Sequence, residues 1–176
     1  MKRTPFDKWP CSVARTVDLL GDWWTPLVLR EASYGVTRFD DFVTSLRIGR
    51  NVLTQRLNRL VEEGLLDKVP YQERPVRYEY RLTEKGEDFF PVLAAMVRWG
   101  DKWMSGDEGP PILLRHTTCG HTTHAEVVCA ECREPLDRRH VRPELGPGFP
   151  QRLREKAGEL PRFAGGAADP ATGSGG

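Results

Sequence analysis

The spacing of apolar residues changes at Gly64, and this change limits which folds the chain can adopt. Before Gly64, apolar residues recur every three or four positions, as on one face of an α-helix. After it, residues 65–71 and 76–82 alternate apolar and polar side chains, as half-buried strands do. Residues 72–75 lie between them and have the composition of a turn. We therefore predict several helices followed by a β-hairpin.

The helical segments and their glycine stop signals give the order of elements. In chain order, the predicted helices cover about residues 12–20, 23–33, 38–46, 49–63 and 83–104. The hairpin lies between the fourth and fifth of them. This order predicts a mainly α protein with a small β-hairpin wing (α+β), which is a winged helix-turn-helix. A small zinc-ribbon-like appendage is expected after it.

Composition divides the chain into three regions. Residues 1–104 hold the periodic apolar residues, residues 105–140 open with a loop and carry clustered Cys and His, and residues 141–176 end in a low-complexity stretch. We predict a helical domain, a metal-binding module and a disordered tail, in that order. Apolar content of 39 % with five Trp excludes global disorder.

Two compositional signals bear on location. No apolar run reaches the roughly 18 residues that a membrane span needs. The N-terminus also lacks the apolar stretch of a signal peptide. We therefore expect a soluble, cytoplasmic protein with no membrane partner.

The helix predicted near residues 49–63 has two chemically different sides. Its leucines at 53, 57 and 60 share a stripe about 100° wide with Val61. The opposite side carries amide and charged groups, with one arginine at the amino end: Asn51, Gln55, Asn58, Arg59, Glu62 and Arg50. Arg recognises guanine and Asn or Gln recognises adenine in the major groove, whereas a merely solvated face would favour Glu and Lys. This pattern predicts a helix that reads double-stranded DNA.

Other basic and hydroxyl side chains are predicted to bind phosphate, which positions a protein on DNA without reading its sequence. On the helix these are Arg50, Thr54 and Arg56. At the hairpin tip, Arg74 and Arg77 are placed for the DNA backbone or the minor groove. Singly, each arginine is more simply interpreted as an exposed charge; together with the helix they favour DNA contact.

Four local motifs in residues 11–104 resemble one family. They are Cys11 at the start of the first helix, Leu53-Thr54-Gln55-Arg56-Leu57, Pro75 followed by Tyr78-Glu79-Tyr80, and Trp99-Gly100. With these motifs the region resembles the HxlR family of bacterial transcription regulators. The resemblance implies a winged-helix homodimer that binds operator DNA, with the first and last helices of the region forming the interface. Gly49 departs from the family pattern, which usually has Ser or Thr there; glycine caps a helix only a few tenths of a kcal/mol less well.

The last predicted helix supports a homodimer independently of the resemblance. It carries Phe89, Phe90, Met96, Trp99 and Trp103, which is more apolar surface than a small helical core can cover. These residues are expected either to be buried in the core of one chain or, as we favour, to contact a second copy.

The Cys and His cluster predicts a structural zinc site. His116 and Cys119 are separated by two residues, as are Cys129 and Cys132, and this spacing lets one tight turn aim two ligands at a metal. Three thiolates and one imidazole would close a tetrahedral shell and leave no open position for catalysis. The fourth ligand remains open among His116, His121 and His124.

Cys11 stands apart from that cluster. The resemblance implies a redox-sensor role at this position, while the simpler interpretation is a buried small residue at the start of a helix. The cluster also leaves two alternative functions, a zinc-dependent enzyme and a protein-interaction module. We expect no enzyme, because Glu126 alone does not make an acid–base pair near the cluster. The effector is not identified by the sequence.

Overall fold

The computed structural model describes residues 5–6 and 8–158, which fall into two compact units. One unit is Thr16–Glu126, and the other combines Met1–Arg15 with Val127–Gly176. The end of the predicted disordered tail, residues 159–176, lies outside the described residues. The DNA-reading elements predicted from the sequence belong to Thr16–Glu126.

Four helices precede the hairpin, as predicted. They are α1 (Ser12–Leu20), α2 (Trp24–Ser33), α3 (Phe39–Leu46) and α4 (Arg50–Glu62). Gly64 follows α4 with a φ of 71°, a left-handed conformation that side chains with a Cβ disfavour, and so ends the helix where the sequence predicted.

A three-residue turn joins α3 to α4. Arg47 takes a left-handed φ of 51°, and Ile48 is 3 % exposed and anchors the turn in the core. Gly49 is the N-cap residue of α4 and has no side chain to bond the first N–H groups of that helix. This turn fixes the angle at which α4 leaves α3.

The wing contains a strand pair and a short third segment. Strands β1 (Leu66–Glu73) and β2 (Val76–Leu82) are antiparallel, and Leu66 pairs with Leu82. On the other side of β2, the main-chain N–H of Tyr80 donates to the carbonyl oxygen of Thr37 over 2.8 Å, and Arg38 forms a bridge with Glu79.

The beginning of α3 was predicted one residue too early. Arg38 has extended backbone angles, φ −94° and ψ 144°, and α3 begins at Phe39. Arg38 is held in the extended conformation by its pairing with β2, a long-range contact that local periodicity does not reveal.

The predicted helix over residues 83–104 is divided in two. The structure has α5 (Glu84–Glu87) and α6 (Phe90–Met104). Pro91 lies in the first turn of α6. Proline lacks the N–H that a continuous helix would need there, so the helix ends before it and a new one begins.

The core of Thr16–Glu126 is formed by leucines of α4 and apolar residues of α2, α3 and the wing. Its buried members are Val28, Leu29, Ala32, Phe42, Ile48, Leu53, Leu57, Leu60, Leu65, Leu66, Tyr80 and Leu93. From α6, only Leu93 and Ala94 are buried. The less favoured alternative, that Met96, Trp99 and Trp103 are buried in the core of one chain, is wrong, because all three are more than half exposed.

After α6 the chain forms short elements. The first unit holds a 3₁₀ turn at Gly106–Glu108 and a hairpin of β3 (Leu114–His116) and β4 (His121–Thr123). The second unit holds a bridge between Val128 and Pro135 and the helix α7 (Gln151–Gly158). Among the residues that the structure describes, no helix has both the length and the apolar character to cross a bilayer.

Candidate nucleic-acid interface

The solvent-facing side of α4 is the candidate DNA-reading surface. Leu53 and Leu57 are fully buried and Leu60 is 1 % exposed, so this stripe faces the core. The opposite stripe is exposed and consists of Asn51, Thr54, Gln55, Asn58 and Glu62. The spacing of the leucines in the sequence therefore predicted correctly which side of α4 faces the core.

The amides on this stripe have unused hydrogen-bonding groups. Within the described part of the chain, Asn51, Gln55 and Asn58 make no side-chain hydrogen bond. Each amide carries a donor and an acceptor side by side, which is the arrangement that pairs with adenine N6 and N7. Thr54 differs, because its Oγ1 donates to the carbonyl oxygen of Arg50 over 2.8 Å and keeps its lone pairs as acceptors.

Arg59 lies beside this stripe and is bonded to the protein itself. Its Nη2 donates to the carbonyl oxygen of Asp18 over 3.0 Å, and its Nε donates to that of Leu19 over 3.3 Å. Both carbonyl groups belong to the last turn of α1. In the structure Arg59 therefore connects α4 to α1, and its role in base reading stays a prediction.

Arg56 is also engaged within the protein. It forms an ion pair with Asp22, and the two side chains are only 25 % and 21 % exposed. Asp22 in turn accepts hydrogen bonds from the main-chain N–H groups of Trp24, over 2.8 Å, and Thr25, over 3.2 Å. Arg56 thus joins α4 to the start of α2, in place of the phosphate contact that the sequence suggested.

Arg50 is placed where a phosphate contact was predicted. It is exposed at the amino end of α4, where Gly49 leaves the first N–H groups without a side-chain cap. Its Nη1 donates to Asp40 Oδ1 over 2.7 Å, and its guanidinium carbon lies 4.8 Å from the ring centre of Phe39. The positive end of the helix and the guanidinium together suit an anion.

The wing presents a second basic surface. Arg74 and Arg77 are exposed, and within the described residues their side chains have no hydrogen-bond or ion-pair partner. The sequence reasoning missed two further cations on the wing, Lys68 and Arg38. Each lies against an aromatic ring from another position in the chain, a contact that the local sequence does not show. Lys68 lies 4.4 Å from the ring centre of Tyr78, and Arg38 lies 4.8 Å from that of Tyr71.

The predicted metal ligands are divided between the two units. In Thr16–Glu126, His116 Nδ1 is 3.3 Å from Cys119 Sγ. In the other unit, main-chain N–H groups of Cys132 and Glu131 donate to the sulfur of Cys129 and lower the pKa of its thiol. Among the described residues, no three Cys, His, Asp or Glu side chains are grouped as a metal site.

Cys11 is exposed, so the simpler expectation of a buried residue is wrong. Its carbonyl oxygen accepts a hydrogen bond from the N–H of Arg15 over 3.1 Å, which places Cys11 directly before the first turn of α1.

The buried leucine stripe of α4, the tight turn from α3 and the hairpin wing define a winged helix-turn-helix, the fold of a large class of transcription regulators. Residues 19–108 match the HxlR-like helix-turn-helix family. The chain belongs to this family and is a transcription regulator of the helix-turn-helix type.

Relatives extend the likeness beyond residues 19–108. An uncharacterised HTH-type transcriptional regulator of Mycobacterium tuberculosis is 48 % identical over 142 residues, which are 81 % of this chain and 90 % of the relative. An uncharacterised HTH-type transcriptional regulator of Methanothermobacter thermautotrophicus is 37 % identical over 103 residues, 58 % of this chain and 79 % of the relative.

Solved structures give the same fold. PA1607, a candidate transcription factor, has a TM-score of 0.71 at 34 % identity over 79 % of this chain and 97 % of its own. PA1374 of Pseudomonas aeruginosa, also a candidate transcription factor, has a TM-score of 0.59 at 40 % identity over 83 % of this chain and 99 % of its own.

Proposed function

We propose that the protein is a sequence-specific DNA-binding transcription regulator that acts as a homodimer. One observation carries the proposal: α4 buries its leucines and presents Asn51, Gln55 and Asn58 to solvent without intramolecular partners among the described residues. An α-helix fits the major groove, and these amides match adenine there. The family to which the chain belongs supports DNA as the ligand.

Phosphate contacts would hold α4 in the groove. Arg50 lies at the amino end of the helix, and Arg74 and Arg77 lie on the wing. When α4 is in the major groove, the wing is placed to follow the adjacent backbone or minor groove. Each neutralised phosphate releases counterions, so affinity is expected to fall with salt at a slope of about −0.9 per contact.

The homodimer is proposed from two apolar stripes that one chain leaves uncovered. On α6, four apolar residues recur at helical spacing and lie on one side: Val92, Met96, Trp99 and Trp103, 45–66 % exposed. On α1, Val13 and Val17 are 72 % and 52 % exposed, and no residue of this helix is buried. A second copy would cover both stripes, as the sequence resemblance implies.

The two alternatives are less favoured. A zinc-dependent enzyme does not fit the family of regulators to which the chain belongs. A protein-interaction role for the C-terminal Cys and His cluster would coexist with DNA binding.

Selection from a pool of random duplexes tests the proposal and identifies the operator motif in the same experiment. We expect the purified full chain to enrich one motif made of two half-sites, about one helical turn or a multiple of it apart. The triple variant Asn51→Ala, Gln55→Ala, Asn58→Ala is expected to bind DNA without enriching that motif. Enrichment of no motif by the wild-type chain would contradict sequence-specific recognition, and a motif with a single half-site would contradict the dimer.

A further inference from the structure

We propose that the chain binds a small amphipathic monocarboxylate in a cavity between α6 and the β3–β4 hairpin. The cavity lies entirely within the unit Thr16–Glu126 and has a volume of about 340 Å³. Small-molecule sites in proteins occupy roughly 300–1,000 Å³, so this volume suits a small ligand. The DNA-binding function proposed above uses none of the residues that line the cavity.

The walls of the cavity are largely apolar. From α6, Ala94 is buried and Val97 is half-buried. Ile112 and Leu113, which precede β3, also line the cavity and are 54 % and 66 % exposed. Covering two large apolar side chains that are this exposed is favourable. The walls therefore suit the apolar body of a ligand.

The lining also carries three charged side chains, all from α6. Arg98 and Lys102 are one helical turn apart, and Asp101 lies between them in the sequence. Lys102 Nζ lies 4.9 Å from the ring centre of Trp103. Within the part of the chain that the structure describes, the side chains of Arg98 and Asp101 have no hydrogen-bond or ion-pair partner. The guanidinium donors of Arg98 are therefore available to a ligand.

The balance of these charges favours a ligand with a single negative charge. Two cations and one carboxylate leave the lining with a net charge of +1. A carboxylate accepts two parallel N–H bonds from a guanidinium, a geometry for which arginine is well suited. A dianionic phosphate would bring a second negative charge towards Asp101 without a cation to balance it. We therefore expect a carboxylate head group that binds Arg98.

Hydroxyl groups of β4 add further polar contacts. Thr122 and Thr123 both line the cavity. Thr123 Oγ1 donates to the carbonyl oxygen of His124 over 3.5 Å, whereas the hydroxyl of Thr122 has no hydrogen-bond partner among the described residues. A free hydroxyl can donate to a carboxylate. Arg98 on α6 and Thr122 on β4 thus offer donors to one ligand from two elements.

The cavity and the proposed dimer interface lie on different sides of α6. Trp99 lies in the apolar stripe that we assign to the homodimer. With 3.6 residues per helical turn, Val97 and Asp101 are placed about 160° and 200° around the helix from Trp99. A second copy that covers the apolar stripe would therefore leave the cavity accessible to a ligand.

Calorimetric titration of the full chain with matched small molecules tests the proposal. The probes are benzoate, 4-phenylbutyrate, hexanoate and octanoate, each compared with its uncharged amide. We expect at least one of these carboxylates to bind with one site per chain, and its amide to bind at least about tenfold more weakly, because charge-assisted hydrogen bonds are the stronger ones. Binding of none of the carboxylates, or equal binding of acid and amide, would overturn the proposal.

Variants of the charged lining test the position of the carboxylate. Arg98→Gln should weaken its binding at least about tenfold, and Asp101→Asn should strengthen it about two- to fivefold by removing a negative charge. The matched controls Arg138→Gln and Asp107→Asn make the same changes at exposed residues outside the lining and should leave the affinity unchanged. Wild-type affinity in Arg98→Gln, or weaker binding by Asp101→Asn, would refute the assignment.

Amide chemical shifts locate the bound molecule. In two-dimensional NMR spectra of the isotope-labelled full chain, shifts caused by the carboxylate should concentrate in residues 94–102, 110–114 and 122–125. Shifts confined to other residues would place the ligand outside the cavity and overturn the proposal. None of these measurements contains DNA, so a failure of this proposal is distinguishable from a failure of DNA recognition.

Discussion

The guanidinium group of Arg59 donates a hydrogen bond to the main-chain carbonyl oxygen of Asp18, 3.0 Å away. This bond connects the predicted DNA-reading helix to the last turn of α1, which is a long-range contact of 41 residues along the chain. A second bond to Leu19 over 3.3 Å reinforces it. Arg59 therefore stabilises the orientation of α4.

We expect Arg59→Ala to lower the free energy of unfolding by about 1–3 kcal/mol, because it removes two charge-assisted hydrogen bonds to main-chain carbonyls at the end of α1. Urea denaturation of the purified chain measures this change. Asn58→Ala, one residue away and exposed, is the control and should stay within about 0.5 kcal/mol of the wild type. Equal stability of Arg59→Ala and wild type would show that these bonds contribute nothing.

Gln55→Ala should reduce discrimination between sequences. Loss of one bidentate amide–adenine pair costs about 1–3 kcal/mol, so the ratio of operator to random-duplex affinity is expected to fall about 5- to 150-fold for each half-site. Fluorescence anisotropy with the selected motif and a scrambled duplex gives this ratio. The control Arg74→Ala should weaken both duplexes alike and reduce the salt slope by about one contact per subunit. Equal losses on both duplexes for Gln55→Ala would contradict its assignment to base reading.

Asp40→Asn should strengthen DNA binding without changing sequence preference. Asp40 holds Arg50 Nη1 over 2.7 Å in the free protein and places a negative charge beside the amino end of α4. Neutralising it releases Arg50 for phosphate and removes repulsion from the DNA backbone. Anisotropy titrations at several salt concentrations should give tighter binding to every duplex. Asp67→Asn, an exposed carboxylate on the wing, controls for the change in net charge; an identical gain would assign the effect to charge alone.

Gly86→Ala should destabilise the winged domain strongly. A Cβ at this position would lie 2.2 Å from the carbonyl oxygen of Leu65, which is main chain and cannot move aside cheaply. Thr83 stabilises the same contact between α5 and the residues that follow α4. Its Oγ1 donates to the carbonyl oxygen of Gly64 over 2.7 Å and accepts from the N–H of Gly86 over 3.2 Å. Thermal unfolding should show a lower Tm or no folded protein.

Gly148→Ala is the matched control for that substitution, because nothing lies within 4 Å of the added Cβ. Its Tm should stay close to the wild-type value. A Gly86→Ala variant as stable as Gly148→Ala would mean that α5 does not pack this closely against Leu65.

Trp99→Glu should convert the proposed homodimer to a monomer. Trp99 is 61 % exposed in one chain and lies in the middle of the apolar stripe of α6. A buried carboxylate without a partner would cost several kcal/mol at an interface. Sedimentation velocity measures the change in mass. The control Tyr34→Glu, at an exposed aromatic residue outside both stripes, should stay dimeric; a wild-type chain that is monomeric at micromolar concentration would contradict the proposed dimer.

The order of the elements and the inward face of α4 could both be predicted from the amino-acid sequence. Both follow from local periodicity: leucines at 53, 57 and 60 fall on one stripe of any helix built from this segment, and the amides then lie opposite. Pro91 was the sequence signal for the break before α6, because proline lacks the N–H that a continuous helix needs. The apolar period on both sides of it nevertheless predicted one helix.

The fold, and not the local sequence, shows which arginines of α4 have partners elsewhere in the chain. Three arginines of the same helix, Arg50, Arg56 and Arg59, have the same side-chain chemistry. The helical spacing of the sequence places none of them on the side that faces the core. Arg56 meets Asp22 and Arg59 meets the carbonyl end of α1, whereas Arg50 stays exposed at the amino end of α4. The partners of Arg56 and Arg59 come from segments that are distant along the chain. Whether a guanidinium group holds the fold together or stays available for DNA therefore depends on its neighbours in the folded chain. The local sequence does not encode these neighbours.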